Sequence, residues 1–266
     1  MNFKRIGFIG AGAMGEAIIK GLLTKGINPE NIWISEKSQE RSDYLHKEYG
    51  IVRAKDNEDL VDHSEAILLA VKPQNLTAAV ESFVTSFNNE KILVSILAGV
   101  TTAKIEALLP VGSNVVRVMP NTPALIGEGT TVMTGGTNTT DIQLQEVLTI
   151  FEAVGRVNVL PETMFNAVTG LSGSGPAFVY LMIEALADGG VLAGLSRDIA
   201  YMLAVDTVKG AALMVQETKK HPGQLKDMVT SPAGTTIYGL LQMEKAGLRG
   251  TLMETVLAAA KRAEQL

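Results

Sequence analysis

Arg5-Ile6-Gly7-Phe8-Ile9-Gly10-Ala11-Gly12-Ala13-Met14-Gly15 stands near the start of the chain, and its reading decides the rest. It runs from a short apolar strand into a glycine turn and then a helix, with Met14, Ala17, Ile18 and Leu22 at helical spacing. Gly10, Gly12 and Gly15 have the G-x-G-x-x-G spacing, and each has a mechanical reason. Gly10 permits the tight turn, Gly12 has no Cβ to hold a pyrophosphate off the backbone, and Gly15 lets the helix lie close on the strand. Ala13 and Met14 fall in the first helical turn, where free N–H groups and the positive end of the dipole suit phosphate. Lys25 and Gly26 end that helix. The stretch is expected to be a dinucleotide-binding strand-turn-helix.

The chain has 266 residues, enough for one large or two modest domains. Cysteine is absent, which excludes disulfides and thiolate metal sites. The three histidines, His46, His63 and His221, are too scattered to suggest a metal site. A net charge of -5 without basic clusters argues against nucleic acid as a partner. No apolar run reads as long enough to span a bilayer, and the first residues enter a strand directly, so cytoplasmic residence without membrane attachment is expected.

Working outward, strands and helices alternate. Strands are expected at 31–35, 51–54, 66–71, 92–97 and 114–119, and helices at 40–49, 75–86 and 102–108. Ala66-Ile67-Leu68-Leu69-Ala70-Val71 is uninterrupted apolar, as a central parallel strand covered on both faces would be. The rhythm predicts an α/β fold with a Rossmann-like doubly wound sheet over residues 1–160, binding ligand at the carboxyl ends of its strands. After Pro161 strand patterns cease. Helices are expected at 162–169, 176–193, 197–217, 235–246 and 248–263, giving an all-α domain over 161–266. The second and third are apolar nearly all round and need cover on more than one side. A second copy of the chain is the simplest cover, so an intimate homodimer is expected.

Four stretches carry chemistry. Glu36 falls about 20 residues past Gly15, where an acid would hold the ribose 2′-hydroxyl of NAD. Ser35, Lys37 and Arg41 suit instead the 2′-phosphate of NADP, so the choice stays open, tilted by these cations to NADP. Ala70, Val71, Lys72 and Pro73 close a buried strand at the expected cofactor edge; the plain alternative is a solvated loop. Thr169-Gly170-Leu171-Ser172-Gly173-Ser174-Gly175-Pro176-Ala177 reads as a close packing joint before a helix, with a cofactor ring as the lesser reading. The loop from His221 to Ile237 is dense in hydroxyls and small residues and delivers free N–H groups at a new helix start. That suits a carboxylate, or else an ordinary capped helix.

Together these stretches, with Met119-Pro120-Asn121-Thr122-Pro123 and Ala187-Asp188-Gly189-Gly190-Val191, resemble the pyrroline-5-carboxylate reductase family over essentially the whole chain. The one departure is Ala233, where the family often has glycine. The resemblance implies an enzyme that reduces the C=N bond of 1-pyrroline-5-carboxylate to L-proline with NADPH or NADH, as a homo-oligomer built from dimers. It implies that N–H groups and hydroxyls of Ser231, Ala233, Gly234, Thr235 and Thr236 hold the substrate. The Thr236 hydroxyl would orient the imine nitrogen or relay its proton. It further implies that Asn57, Lys72, Pro73, Ala98 and Gly99 line the cofactor, with Glu162 on the nicotinamide side. The substrate's own cation makes it electrophilic, so no metal or strong base is needed.

A β-hydroxyacid dehydrogenase is the nearest rival. It takes a proton from an alcohol, commonly through a lysine beyond a G-x-G on the long helix, where Val179 here cannot titrate. A non-catalytic NADP-binding dimeric sensor is the other, and it would not need the receptor at Ser231 to Thr236.

Overall fold

The computed structural model describes residues 3–265. In order come β1 (Ile6–Ile9), α1 (Ala13–Thr24), β2 (Ile32–Ser35), α2 (Gln39–Tyr49), β3 (Val52–Arg53), α3 (Asn57–His63) and β4 (Ala66–Leu69). Then follow α4 (Leu76–Glu81), β5 (Ile92–Ser95), α5 (Thr102–Glu106), β6 (Asn114–Met119), β7 (Gly129–Gly135), α6 (Asp141–Phe151) and β8 (Gly155–Val159). The remainder is helical: α7 (Phe165–Val168), α8 (Gly175–Leu192), α9 (Arg197–Thr218), α10 (Pro222–Met228), α11 (Thr235–Lys245) and α12 (Leu248–Ala263).

The strands form one sheet in the order β3-β2-β1-β4-β5-β6-β7-β8. Side chains alternate between two cores, one on each face. Phe8, Ile34, Leu68, Val94 and Val116 enter the first. Ile9, Ile67, Leu69, Leu93 and Val115 enter the second. Burial on both faces explains why β1, β4 and β5 are apolar at almost every position. The strands from β3 through β6 are parallel. Their register aligns Ile9 with Ser35 and Leu69, and Leu69 with Ser95, so the turns after β1, β2, β4 and β5 leave from one rim.

Three departures from the sequence reading have physical reasons. β7 runs antiparallel to β6 and carries β8 parallel to itself, an extension within 120–160 to which no element was assigned. α3 supplies the crossover to β4; it has only seven residues, of which Leu60 and Val61 are buried, too few for a visible helical repeat. The helix expected over 75–86 is α4 alone, after which the chain breaks into turns.

The chain divides into two compact units. One runs through Gly173 and takes in the C-terminal stretch from Ala259; the other is Ser174–Ala258. In the second unit, α8 packs on α9 through a small core of Ala187, Ala200 and Ala204. Gly190 lies so close to Ala200 that an added Cβ would approach its Cβ to 3.0 Å. Around that seam the helices are apolar yet exposed: Leu186 is 51% exposed, Leu192 90% and Met202 53%. The helical run Glu162–Leu192 is 31 residues and, by length and composition, apolar enough to cross a bilayer. The sequence reading found no run of that length, because it took the glycines as a break; Thr169–Gly173 is a π-helical turn, followed by a bend at Ser174 before α8.

Candidate functional site

Gly10 leaves β1 with φ +80, in the left-handed region, and its N–H donates to the Ser35 carbonyl at 2.8 Å. A Cβ there would lie 3.0 Å from the Ala70 carbonyl oxygen, so both conformation and space demand glycine. Gly12 differs. It is the exposed N-cap residue of α1, with ordinary φ, no side-chain cap, and, its chain neighbours aside, no atom of the described residues within 4 Å of a would-be Cβ. The protein does not use that space, which is what a pyrophosphate laid against the loop requires. Gly15 is buried, 3.4 Å from the Gly10 carbonyl oxygen by the same test.

These glycines open a cleft of about 480 Å³ at the strand rim. It is lined by Gly10, Gly12, Ser35, Lys37, Asn57, Ala70, Val71 and Lys72 from the expected set, and by Glu36. Ser35 Oγ donates to Asn57 Oδ1 at 2.6 Å, and Asn57 Nδ2 to Ser82 Oγ at 2.8 Å, so one polar chain fixes this wall. Asn75, Ala78, Ala79 and Ser82 line the cleft too and were missed. They follow Lys72-Pro73 on the next crossover, and the only sequence signal for them was that position. Ala13 and Met14 occupy the first turn of α1. Pro73 opens a 3-10 turn, and Ala98 and Gly99 lie in the turn after β5, Gly99 with φ +73. Pro73, Ala98, Gly99, Ala13 and Met14 are not among the cleft's lining residues.

Arg41 is committed elsewhere. Its Nε donates to the Ala11 carbonyl at 2.9 Å and its Nη2 to Glu16 at 2.5 Å. Tyr49 and Tyr44 also donate to Glu16. Burial alone would raise the Glu16 carboxyl, but the hydrogen bonds from Tyr49 and Arg41 and the Arg41 charge outweigh it and hold it low.

Glu162 likewise lies outside that cleft's lining. Its Oε1 accepts from Thr102 N–H at 2.8 Å and Arg117 Nη1 at 3.0 Å, and its Oε2 from Thr102 Oγ1 at 2.8 Å. Arg117 is 5% exposed and its Cζ sits 4.5 Å from the Phe165 ring centroid. This is a brace between β6, α5 and the start of the helical run. Burial pushes the Glu162 carboxyl up, but the Thr102 and Arg117 bonds outweigh it and leave it lowered. A lowered carboxylate contributes stability that is full above its unfolded-state pKa and lost as pH falls through its folded-state one. Glu162→Gln should therefore cost about 2 kcal/mol at neutral pH, between exposed and buried pairs. Denaturant unfolding should show that gap closing as pH drops below the ordinary carboxylate range; a pH-independent gap would remove the charge from the account.

Asn121 is a second brace, donating to the Ser172 carbonyl at 3.0 Å and accepting from Thr130 N–H at 2.8 Å. The π-helical turn before α8 packs closely here: a Cβ on Gly173 would lie 3.0 Å from Met119 Cε. The stretch from Thr169 is therefore a packing joint.

In the second unit, half of the expected loop is the helix α10, begun by Pro222 and capped by His221, which accepts from Gly223 N–H. The remainder turns sharply. Gly234 N–H donates to the Ser231 carbonyl, and a Cβ on Gly234 would strike Ser231 Oγ. Ala233 has φ +56, a conformation that disfavours any side chain. α11 begins at Thr235 with Gly234 as N-cap and no side-chain cap, so no side chain takes its first N–H groups. Ser231, Ala233 and Thr235 are exposed, and Gly234 and Thr236 half-buried. Ala233→Gly should relieve the strain and stabilise the chain by about 0.5–1 kcal/mol, raising Tm by about 2 °C. A fall in Tm would show that the Ala233 methyl is held by packing.

Residues 162–266 match the family model described as pyrroline-5-carboxylate reductase dimerisation, and residues 5–99 the one described as NADP oxidoreductase coenzyme F420-dependent. The pyrroline-5-carboxylate reductase of Methanosarcina acetivorans is 46% identical, covering 100% of this chain and 99% of its own. Among solved structures, that of a pyrroline-5-carboxylate reductase from Coxiella burnetii has a TM-score of 0.93 at 33% identity, covering 99% of this chain and 98% of its own. The Plasmodium falciparum pyrroline carboxylate reductase with NADP bound has a TM-score of 0.89 at 34% identity, with the same coverage. A glycine rim with unused space at Gly12, a helical C-terminal unit with its apolar faces open, and this likeness from end to end agree. The chain belongs to the pyrroline-5-carboxylate reductase family.

Proposed function

We propose that this chain reduces 1-pyrroline-5-carboxylate to L-proline with NADPH or NADH, the last step of proline synthesis, as a homo-oligomer built from dimers. The observation that carries the reading is the empty space over Gly12 at the rim of a parallel sheet, in a chain of this family. Gly10, Gly12, Ala13, Met14 and Gly15 would hold the pyrophosphate, with Ser35, Glu36, Lys37 and Asn57 at the adenosine ribose. Ala70, Val71, Lys72 and Pro73, with Ala98 and Gly99, would line the path toward the nicotinamide. The bound cofactor supplies the hydride that adds to the imine carbon.

The chain's own contribution is binding and orientation. N–H groups at the start of α11, uncapped by any side chain, would hold the substrate carboxylate, with Ser231 and Thr235 hydroxyls in support. The Thr236 hydroxyl would accept the N–H of the protonated imine and fix the ring's face. The carbon that takes the hydride is made electrophilic by that iminium charge, so the residues have only to orient it. Glu162 serves as the brace described above. A second copy would cover the open apolar faces of α8 and α9, which accounts for a run long enough for a bilayer without any lipid.

The test is spectrophotometric. Loss of NADH or NADPH absorbance on adding pyrroline-5-carboxylate supports the reading. Reduction of NADP+ or NAD+ with a 3-hydroxy acid instead would favour a β-hydroxyacid dehydrogenase, and no turnover with either would favour a sensor.

A further inference from the structure

We propose that Arg41, locked in place by Glu16, is a positioning residue for the dinucleotide: it turns the Ala11–Gly12 peptide so that the Gly12 N–H faces the cleft. The inference rests on the dinucleotide reading of that cleft. Arg41 Nε donates to the Ala11 carbonyl at 2.9 Å. Across a trans peptide the carbonyl and the next N–H point in opposite directions, so a carbonyl drawn to Arg41 sends the Gly12 N–H the other way. Gly12 lines the cleft, whereas Ala11 is fully buried and does not. The Gly12 N–H has no partner among the described residues. Turned over, the same peptide would present a carbonyl oxygen to a pyrophosphate, acceptor against acceptor.

An arginine on a loose stem would be a poor tether, and this one is fastened from several sides. Its Nη2 donates to Glu16 at 2.5 Å, and Glu16 also accepts from Tyr49 at 2.7 Å and Tyr44 at 3.2 Å. Its Cζ lies 5.3 Å from the Tyr44 ring centroid. Tyr49 packs in turn against the first core. Arg41, Tyr44 and Tyr49 belong to α2 and Glu16 to the first turn of α1, so the meeting of two helices sets the turn between β1 and α1. The preceding peptide is held separately, because Ala11 N–H donates to Glu36 Oε2 at 2.9 Å. Both peptides at Ala11 are thus oriented before a ligand arrives, which spares that ordering cost on binding. Arg41 Nη1 has no partner among the described residues, so a direct hold on a ligand phosphate is the rival role to be separated.

The experiment is equilibrium titration of the full chain with NADH and with NADPH, read by nicotinamide fluorescence without substrate, beside thermal unfolding. Arg41→Met combined with Glu16→Gln removes one charge of each sign and leaves the net charge as it was. The double variant should weaken NADH and NADPH alike, each about tenfold, at both about 0.05 and about 0.5 M salt. With cofactor raised to saturation, kcat for pyrroline-5-carboxylate should stay within about twofold, because orienting the turn matters only to binding. Glu16→Gln alone loosens the tether without removing it and should cost both ligands about threefold. A loss confined to NADPH would put Arg41 on the 2′-phosphate and overturn the proposal. Unchanged affinity for both ligands with a lower Tm would overturn it too, leaving the cluster as a brace between α1 and α2. If the wild type bound neither dinucleotide, the functional reading itself would fail, a different and visible outcome.

Discussion

Gly12→Val should abolish useful cofactor binding while leaving the fold nearly intact. NADH and NADPH should both bind at least about a hundredfold more weakly, a loss of about 2.7 kcal/mol. The separation of the two effects comes from the geometry. Apart from its chain neighbours, no atom of the described residues lies within 4 Å of a Cβ at this position, so the new side chain meets only the ligand's space. Its backbone is already extended, with φ -66 and ψ -167, so no left-handed conformation has to be kept. The remaining cost is valine as an N-cap in place of glycine, about 1 kcal/mol and about 3 °C in Tm. Gly10→Ala is the contrast. Its φ of +80 and the Ala70 carbonyl at 3.0 Å would charge the loss to the fold itself. Fluorescence titration beside thermal unfolding reads both quantities. Normal affinity in Gly12→Val would mean that the dinucleotide does not cross this turn.

That prediction was available from the opening stretch alone because the glycine turn is local: strand, turn and helix start lie within eleven consecutive residues. The apolar run at Ala66 was equally legible, since a parallel strand covered on both faces needs no polar alternation. Elsewhere the sequence spoke less clearly for reasons that can be named. In α3, Asp56 caps by accepting from Asp59 N–H, but about two turns with two buried residues show no period. α10 was hidden by composition, because Gly223 and Pro222 mark turns in most settings, and only His221 with Gln224 made the capping box. β7 shows no alternation, with Gly129, Thr131, Val132 and Met133 buried in a strand that also reverses direction.

The site shows the same division. The residues in the glycine turn and at the strand ends could be read off, because chain order places them at one rim. Ser82 and Asn75 could not, because they reach the cleft through the packing of a crossover. Arg41 shows the opposite limit: its charge and position suited phosphate, yet its engagement by Glu16 and Ala11 depends on two helices meeting. A side chain's type is written in sequence, but whether it is free to act is decided by its neighbours.

Freedom to act is also the ground for the second large effect, in Thr236→Ala. Most threonines in this chain's helices spend their hydroxyl on the carbonyl four residues back: Thr169 on Phe165, Thr207 on Leu203, Thr218 on Met214, Thr255 on Thr251. Thr236 does not; its hydroxyl has no partner among the described residues. It sits in the first turn of α11, where the main-chain N–H groups beside it are uncapped. Alanine removes the hydroxyl and the γ-methyl but favours the helix, so stability should change little, and Thr236→Ser, which loses the methyl alone, is the control. The N–H groups remain, so the KM for pyrroline-5-carboxylate should change by less than about threefold. Turnover should fall about a hundredfold, about 2.7 kcal/mol of transition-state stabilisation, as the imine nitrogen loses its partner. Thr236→Ser should recover most of it, because the hydroxyl is what matters. A rise in KM at constant kcat would make the residue a carboxylate ligand, and an unchanged rate would remove it from the mechanism.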